Sequence, residues 1–288
     1  VGTQPIIGTQ ININLKGIFG KISLYATSET GYKNLTKLSS ISYLKNDGTT
    51  EPSCKLEDLR ENCEDLVLLT GNYKNFFGKL FYKNKLKDLE QILNSFKNSF
   101  KDRLYIEIQR HNEHQEKSFE NYLLNISKSL QLPLIATQEI FYLDENMYEA
   151  HDALVCIGEK NFVDDKNRFK YSNNHYFKSQ ADLEKLYSDI PEALENNYNF
   201  HLRFNFKPKK SKPILPSIAN KEANSPEEEL SKLAKKGLEN RLENFILKKK
   251  IIKSKDQILE IYKDRLTHEI NIINSMDYAS YFLIVSDY

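Results

Sequence analysis

The stretch 104-LYIEIQRHNEHQEKSFENYLLNISKSLQLPLIATQEIFYLD-144 decides the fold. Leu104–Gln109 and Leu134–Thr137 are short apolar runs bounded by charged or turn residues, the pattern of buried strands. Between them Phe119, Tyr122, Leu123, Ile126 and Leu130 recur at three- and four-residue spacing, which gives a helix one apolar face. Pro133 stops that helix just ahead of the second run. Residues 22–25 and 66–70 are two more strands of the same kind. Strands alternating with amphipathic helices over the first two-thirds of the chain predict an α/β domain with a largely parallel sheet or barrel. The active site of such a domain lies at the carboxyl ends of its strands.

Composition narrows the class. The 288 residues are 40% hydrophobic and 28% charged, enough for one large domain or two modest ones. No run approaches the roughly 18 to 20 apolar residues of a membrane span. The formal net charge of +1 excludes a global field for nucleic acid, so any DNA contact must come from local patches. Cys54, Cys63 and Cys156 are odd in number and lack CxxC spacing, which speaks against a disulfide framework and a thiolate zinc site. A reducing cytoplasm is the expected compartment. The opening VGTQPIIGTQ has no initiator methionine or leader, and the closing YFLIVSDY stops in an apolar run. An internal fragment is therefore expected.

Past residue 207 the pattern changes. Residues 207–226, KPKKSKPILPSIANKEANSP, hold four of the eight prolines and almost no periodicity, as an extended connection does. Ser225 then suits a helix N-cap, Pro226 its first turn, and Glu228 the far side of a capping box. Leu230, Leu233, Ala234, Leu238, Leu242, Phe245 and Ile246 form one apolar stripe; Ile258, Tyr262, Leu266, Ile270, Ile273 and Met276 form a second. Two helices are expected there. The boundaries predicted are 1–207, a linker at 208–224, and a unit from 225 to 288.

Specific strings carry the reading further. The segment YKDRLTHEINIINSMDYASYFLIVSDY resembles the start of the palm in C-family bacterial replicative DNA polymerases, the alpha subunits of the polymerase III type, where a helix leads into a GYFLIV strand. Upstream, GYKNLTKLSS, LYIEIQRH, LPLIATQEIFYLD, EAHDALVCIG and SDIPEALENN resemble landmarks of the PHP domain that precedes this palm, in the same order. The resemblance implies a distorted PHP-type (β/α)7 barrel over 1–207, a linker, and the helical beginning of a palm. It implies a parent enzyme that synthesises DNA 5′ to 3′ on a primer-template from deoxynucleoside triphosphates with Mg2+. Its partners would be the proofreading exonuclease, docked on the PHP portion, and the sliding clamp. The family's HxH motif would precede Val1 and its catalytic carboxylates would lie beyond Tyr288. Two-metal phosphoryl transfer needs such carboxylates to hold cations about 3.5 to 4 Å apart, so no catalytic residue is expected within the chain.

Metal-binding members of the PHP family hold a small cluster at strand ends that can hydrolyse phosphoesters. The resemblance puts five of its ligand positions here. The glutamate position is Gln10, the next strand's histidine is Lys21, and the cysteine is Asn72; in the ATxDxH strand the aspartate is Glu139 and the histidine is Phe141. Amides are poor ligands for a divalent cation, and neither an ammonium nor a phenyl ring offers a lone pair. Loss of the cluster is expected, with no cofactor bound to this chain. The PHP portion would then be a scaffold. The alternative readings, a metal-dependent phosphoesterase or a proofreading nuclease, require those same positions to work.

Weaker candidates remain. His111 and His114 read as part of a solvated loop, and His151-Asp152 as a hydrogen-bonding or core pair at a helix start. Lys248, Lys249, Lys250, Lys253 and Lys255 form a basic run that could meet DNA phosphates, as do Lys207, Lys209, Lys210 and Lys212, although such runs are most often solvated faces.

Overall fold

The computed structural model describes residues 2–46, 48, 51–211, 225–246 and 254–288. Two compact units divide the chain, Val1–Pro208 and Lys209–Tyr288. The first opens with a hairpin of β1 (Ile7–Leu15) and β2 (Ile18–Ala26). Leu15 pairs with Ile18, and the two turn residues between them, Lys16 and Gly17, have φ of 49° and 83°. That doubly left-handed pair matches the twist of the flanking strands. Sequence reading did not mark β1, because Gln10, Asn12 and Asn14 are poor strand formers. Their alternation with the inward Ile11 and Ile13 was the available signal.

The chain continues through α1 (Glu29–Leu44), α2 (Leu56–Glu61), β3 (Leu66–Leu69), α3 (Phe76–Tyr82), α4 (Leu86–Phe100), β4 (Leu104–Gln109), α5 (Glu116–Leu130) and β5 (Leu134–Thr137). The four strands expected from their apolar runs are all present. The sheet order is β1-β2-β3-β4-β5; β2 is antiparallel to both β1 and β3, while β3, β4 and β5 are parallel. Ile22, Leu24, Leu66, Leu68, Leu104, Ile106 and Ile108 pack on one side against Leu38, Phe77, Leu93, Phe96 and Phe119 from the helices. Val67, Leu69, Tyr105, Ile135 and Phe204 form a smaller core on the other. The central strands are buried on both faces, which is why they read as unbroken apolar runs. Gly20 on β2 allows the start of α3 to lie against it; a Cβ there would meet Phe76 Cα at 2.4 Å.

The mixed α/β class is as expected, but the sheet is open, with five strands among the described residues rather than a closed ring of seven. After β5 the chain makes a long excursion through α6 (Tyr148–Glu159), then returns as α7 (Gln180–Leu186) and α8 (Pro191–Phe200). One parallel bridge, Tyr142 with Tyr176, stands in this excursion in place of further paired strands. The outer edge of β5 is covered instead by α8. Asn196 Nδ2 donates to Leu134 O at 2.7 Å, and Asn197 Nδ2 donates to Ala136 O. Cys54 and Cys156 are buried and Cys63 half-buried, all as free thiols.

The second unit is helical, comprising α9 (Pro226–Arg241), a π turn at Leu242–Ile246, α10 (Lys255–Ser275) and α11 (Ala279–Asp287). Ser225 caps α9 by accepting from Glu228 N at 3.3 Å, although the acidic side chain that bonds the serine is Glu227. The predicted stripes are only partly covered: Leu242, Ile258 and Ile270 are buried, whereas Leu233, Phe245, Tyr262 and Met276 are exposed. The expected YFLIV strand is a helix. Asp277, at φ 59°, ends α10, and the next run buries Ala279 and Leu283 at i, i+4 while Tyr281, Phe282 and Val285 face outward. That is a helical stripe, and no strand lies beside it among the described residues. No helix among those residues is long and apolar enough to cross a membrane.

Candidate functional site

The parallel strands β3, β4 and β5 end at one polar surface. Side chains at alternate positions share a face, so Glu107 and Gln109 on β4 stand beside Thr137 on β5 and the turn after β3. Glu107 is buried and accepts from Gly71 N at 2.9 Å, from Gln109 Nε2 at 2.9 Å and from Thr137 Oγ1. Burial raises its carboxyl above the ordinary range, against the pull of those three donors. Asn72 joins the network by donating to Gln109 Oε1 at 2.9 Å. Its side-chain oxygen is also committed, accepting from Lys74 N at 3.0 Å.

A second cluster lies in the loops beyond. Glu113 meets Lys74 Nζ at 2.7 Å, His175 Nε2 at 3.3 Å and the Tyr73 hydroxyl. Burial opposes its charge, but the bonds from His175, Lys74 and Tyr73 outweigh burial and hold the carboxyl down to about 2. Burial and the Glu113 carboxylate together push the Tyr73 phenol up. Lys74 also lies 4.9 Å from the centre of the Tyr171 ring and 5.3 Å from that of Phe169, a cation on aromatic faces.

His111 is not in a solvated loop. It is 2% exposed, with its ring stacked on His175 at 4.1 Å and 4°. Two bonds from backbone N–H groups to side chains hold it inside, His111 N donating to the Glu116 carboxylate and Glu139 N to His111 Nε2 at 3.1 Å. His114 is exposed. His151 lies within α6, stacked on Phe141 at 5.0 Å and 7°, and burial, with the nearby His175 second, lowers its pKa. Asp152 forms a two-pronged pair with Arg168, with Nη1 to Oδ1 at 2.6 Å. Both residues thus serve packing and pairing.

Of the five positions that the resemblance assigns to a PHP cluster, Asn72 lies in the turn after β3, and Glu139 and Phe141 lie just past β5. Gln10 is exposed on β1 and donates to Ser23 Oγ at 3.3 Å. Lys21 is exposed on β2 opposite Asn12. Glu139 offers the single carboxylate of the five, and Phe141, still partly open to solvent, packs against the rings of His151, Tyr171 and His175. Among the described residues no group of three or more His, Cys, Asp or Glu side chains is placed to hold a metal ion. The donors present do not fit a PHP metal cluster. Lys248, Lys249, Lys250, Lys253 and Lys212 lie outside the described residues; Lys207, Lys209 and Lys210 are exposed. Sequence reading passed over Glu107, Thr137 and His175. A glutamate between Ile106 and Ile108 in an otherwise apolar strand was the signal for the first, whereas His175 sits in a polar loop that gave none.

Comparison with known proteins places these features in a family. The PHP domain family matches residues 1–111, and the bacterial DNA polymerase III alpha NTPase domain family matches residues 228–288. A DNA polymerase III subunit alpha of Rickettsia bellii is 38% identical over 289 residues, covering 100% of this chain and 25% of its own length. Proteins of the same name from Caulobacter vibrioides and Vibrio cholerae are 35% and 31% identical, again over 100% of this chain and 25% of theirs. The chain therefore spans about a quarter of the length of the curated relatives it matches. With a PHP domain at one end, a polymerase III alpha domain at the other and relatives of one name along its whole length, the chain belongs to the bacterial DNA polymerase III alpha-subunit family.

Proposed function

We propose that this chain is part of a replicative DNA polymerase alpha subunit, which extends a primer on a DNA template from deoxynucleoside triphosphates in the 5′ to 3′ direction. The observation that carries the reading is the likeness to polymerase III alpha subunits along the whole chain. Magnesium is the cofactor of that synthesis in this reading, and no residue of this chain is assigned to hold it. Residues 1–207 act as a non-catalytic PHP scaffold on which the proofreading exonuclease docks, 208–224 as a linker, and 225–288 as the beginning of the palm. Primer-template DNA and the sliding clamp are the other partners, in the cytoplasm. Support for docking comes from α6 and the loop after it, where Leu154, Ile157 and Phe162 are 64%, 76% and 79% exposed; apolar side chains turned outward in this way favour a protein partner.

Primer extension tests the first part. The whole protein should extend a primed template with magnesium, whereas residues 1–288 alone should not. Inactivity of the whole protein would overturn the polymerase reading. Titrating the proofreading exonuclease against the whole protein tests the second part, with the double substitution Ile157→Asp and Phe162→Asp expected to weaken binding at least tenfold. Unchanged affinity would remove α6 from the docking surface.

A further inference from the structure

Four rings from separate segments form one stack over the carboxyl ends of the parallel strands. His111 comes after β4, His175 precedes α7, Phe141 comes after β5 and His151 lies on α6. The ring centres are 4.1 Å apart from His111 to His175, 4.9 Å from His175 to Phe141 and 5.0 Å from Phe141 to His151, with interplanar angles of 4°, 28° and 7°. Tyr171 closes the side, 4.6 Å from Phe141. The backbones are tied as well, Phe141 N donating to His175 O at 2.9 Å and Phe177 N to Tyr142 O at 3.0 Å.

The imidazole nitrogens can be accounted for one at a time. His111 Nε2 accepts from Glu139 N at 3.1 Å, so its lone pair is used and Nδ1 carries the hydrogen, facing Glu116 Oε1 at 3.3 Å. His175 Nδ1 faces Glu139 O at 3.0 Å and Nε2 faces Glu113 Oε1 at 3.3 Å. Both neighbours are acceptors within hydrogen-bond distance, so each nitrogen is already engaged inside the cluster. The two most buried imidazoles of the cluster thus have nothing to give a cation. His151 Nδ1, buried without a partner, and the Glu139 carboxylate are the donors left, since Tyr73 and Lys74 engage Glu113 and the backbone N–H groups of His111 and Glu113 engage Glu116. Two donors fall short of the set a bound transition metal requires.

A metal cluster at strand ends would pin these same loops together by coordination. We propose that the His111–His175–Phe141–His151 stack closes the strand ends in place of that cluster, so that the first unit needs no divalent cation for its fold and retains none. Phe141 is central, because its ring lies between those of His175 and His151 and stacks on both. The inference rests on the PHP resemblance and stands apart from the polymerase reading, since a failed primer extension would leave it untouched.

The test uses the 288-residue chain, dialysed against EDTA, offered zinc or manganese, and desalted. Elemental analysis should then find metal well below one ion per chain, and Tm should be the same with chelator as with either metal. Stoichiometric metal, or a Tm raised by zinc and lowered again by EDTA, would overturn the proposal. Phe141→Leu keeps an apolar side chain but removes the ring; it should lower Tm by several degrees and abolish the ring-current shifts of the His175 and His151 ring protons. Should that variant not fold, Phe141→Tyr, which keeps the ring, should restore the wild-type Tm. A Phe141→Leu chain with unchanged Tm and histidine spectra would equally sink the stack as the closing element.

Discussion

Glu113 shows how far a single carboxylate can commit a loop. Its folded pKa is held to about 2, below the ordinary value of 4.5. The unfolded chain therefore binds more protons between those values, and stability rises with pH across that window. The contribution is complete above about pH 4.5 and is lost as pH falls toward 2. Urea unfolding of wild type and Glu113→Gln as a function of pH should show the two curves converging as pH drops from about 5 to about 2; parallel curves would count against the ion cluster. Little of this was legible in the sequence. Glu113 and His175 lie in polar stretches 62 positions apart, and only the folded excursion brings them within 3.3 Å. The resemblance alone assigns Lys21 and Phe141 to ligand positions, but it could not give the groups that surround them.

At the scale of the element, periodicity served where one face was buried and failed where tertiary context decided. The strands 66–69, 104–109 and 134–137 and the helix at 116–130 are legible in their patterns because burial fixes them. The YFLIV run has strong strand propensity, yet it forms α11, since a lone apolar segment takes the structure that satisfies its own backbone bonds. The β1–β2 hairpin was missed for the opposite reason, its asparagines masking a regular alternation. Gly20 was equally silent, although the approach of α3 depends on it. Gly20→Ala should force Phe76 backbone and β2 apart and cost about 1 to 3 kcal/mol, measured as a lower urea midpoint. A midpoint equal to wild type would mean that α3 yields without cost.

For the whole molecule, the structure divides into compact units at 208 and 209, and we propose that the change of composition near residue 207 marks a linker over 208–224. We expect limited trypsin digestion to cut first between Lys207 and Asn224, where lysines stand among prolines, and to release two resistant pieces. First cuts within 104–137 would instead place the boundary inside the sheet. The α/β class was legible because it depends on the alternation of patterns along the chain. The open sheet was not, because it depends on the excursion after β5, where Leu143, Phe169 and Phe177 are apolar yet exposed and imitate core. The amides of Asn196 and Asn197 have a further effect, since an unpaired edge strand is where one chain recruits another into an insoluble ribbon. By occupying the carbonyls of Leu134 and Ala136 they finish the sheet without closing it, and they leave a newly synthesised neighbour less to zip onto. Two polar side chains on a helix thus give an unclosed barrel protection against aggregation that a ring of strands would otherwise supply.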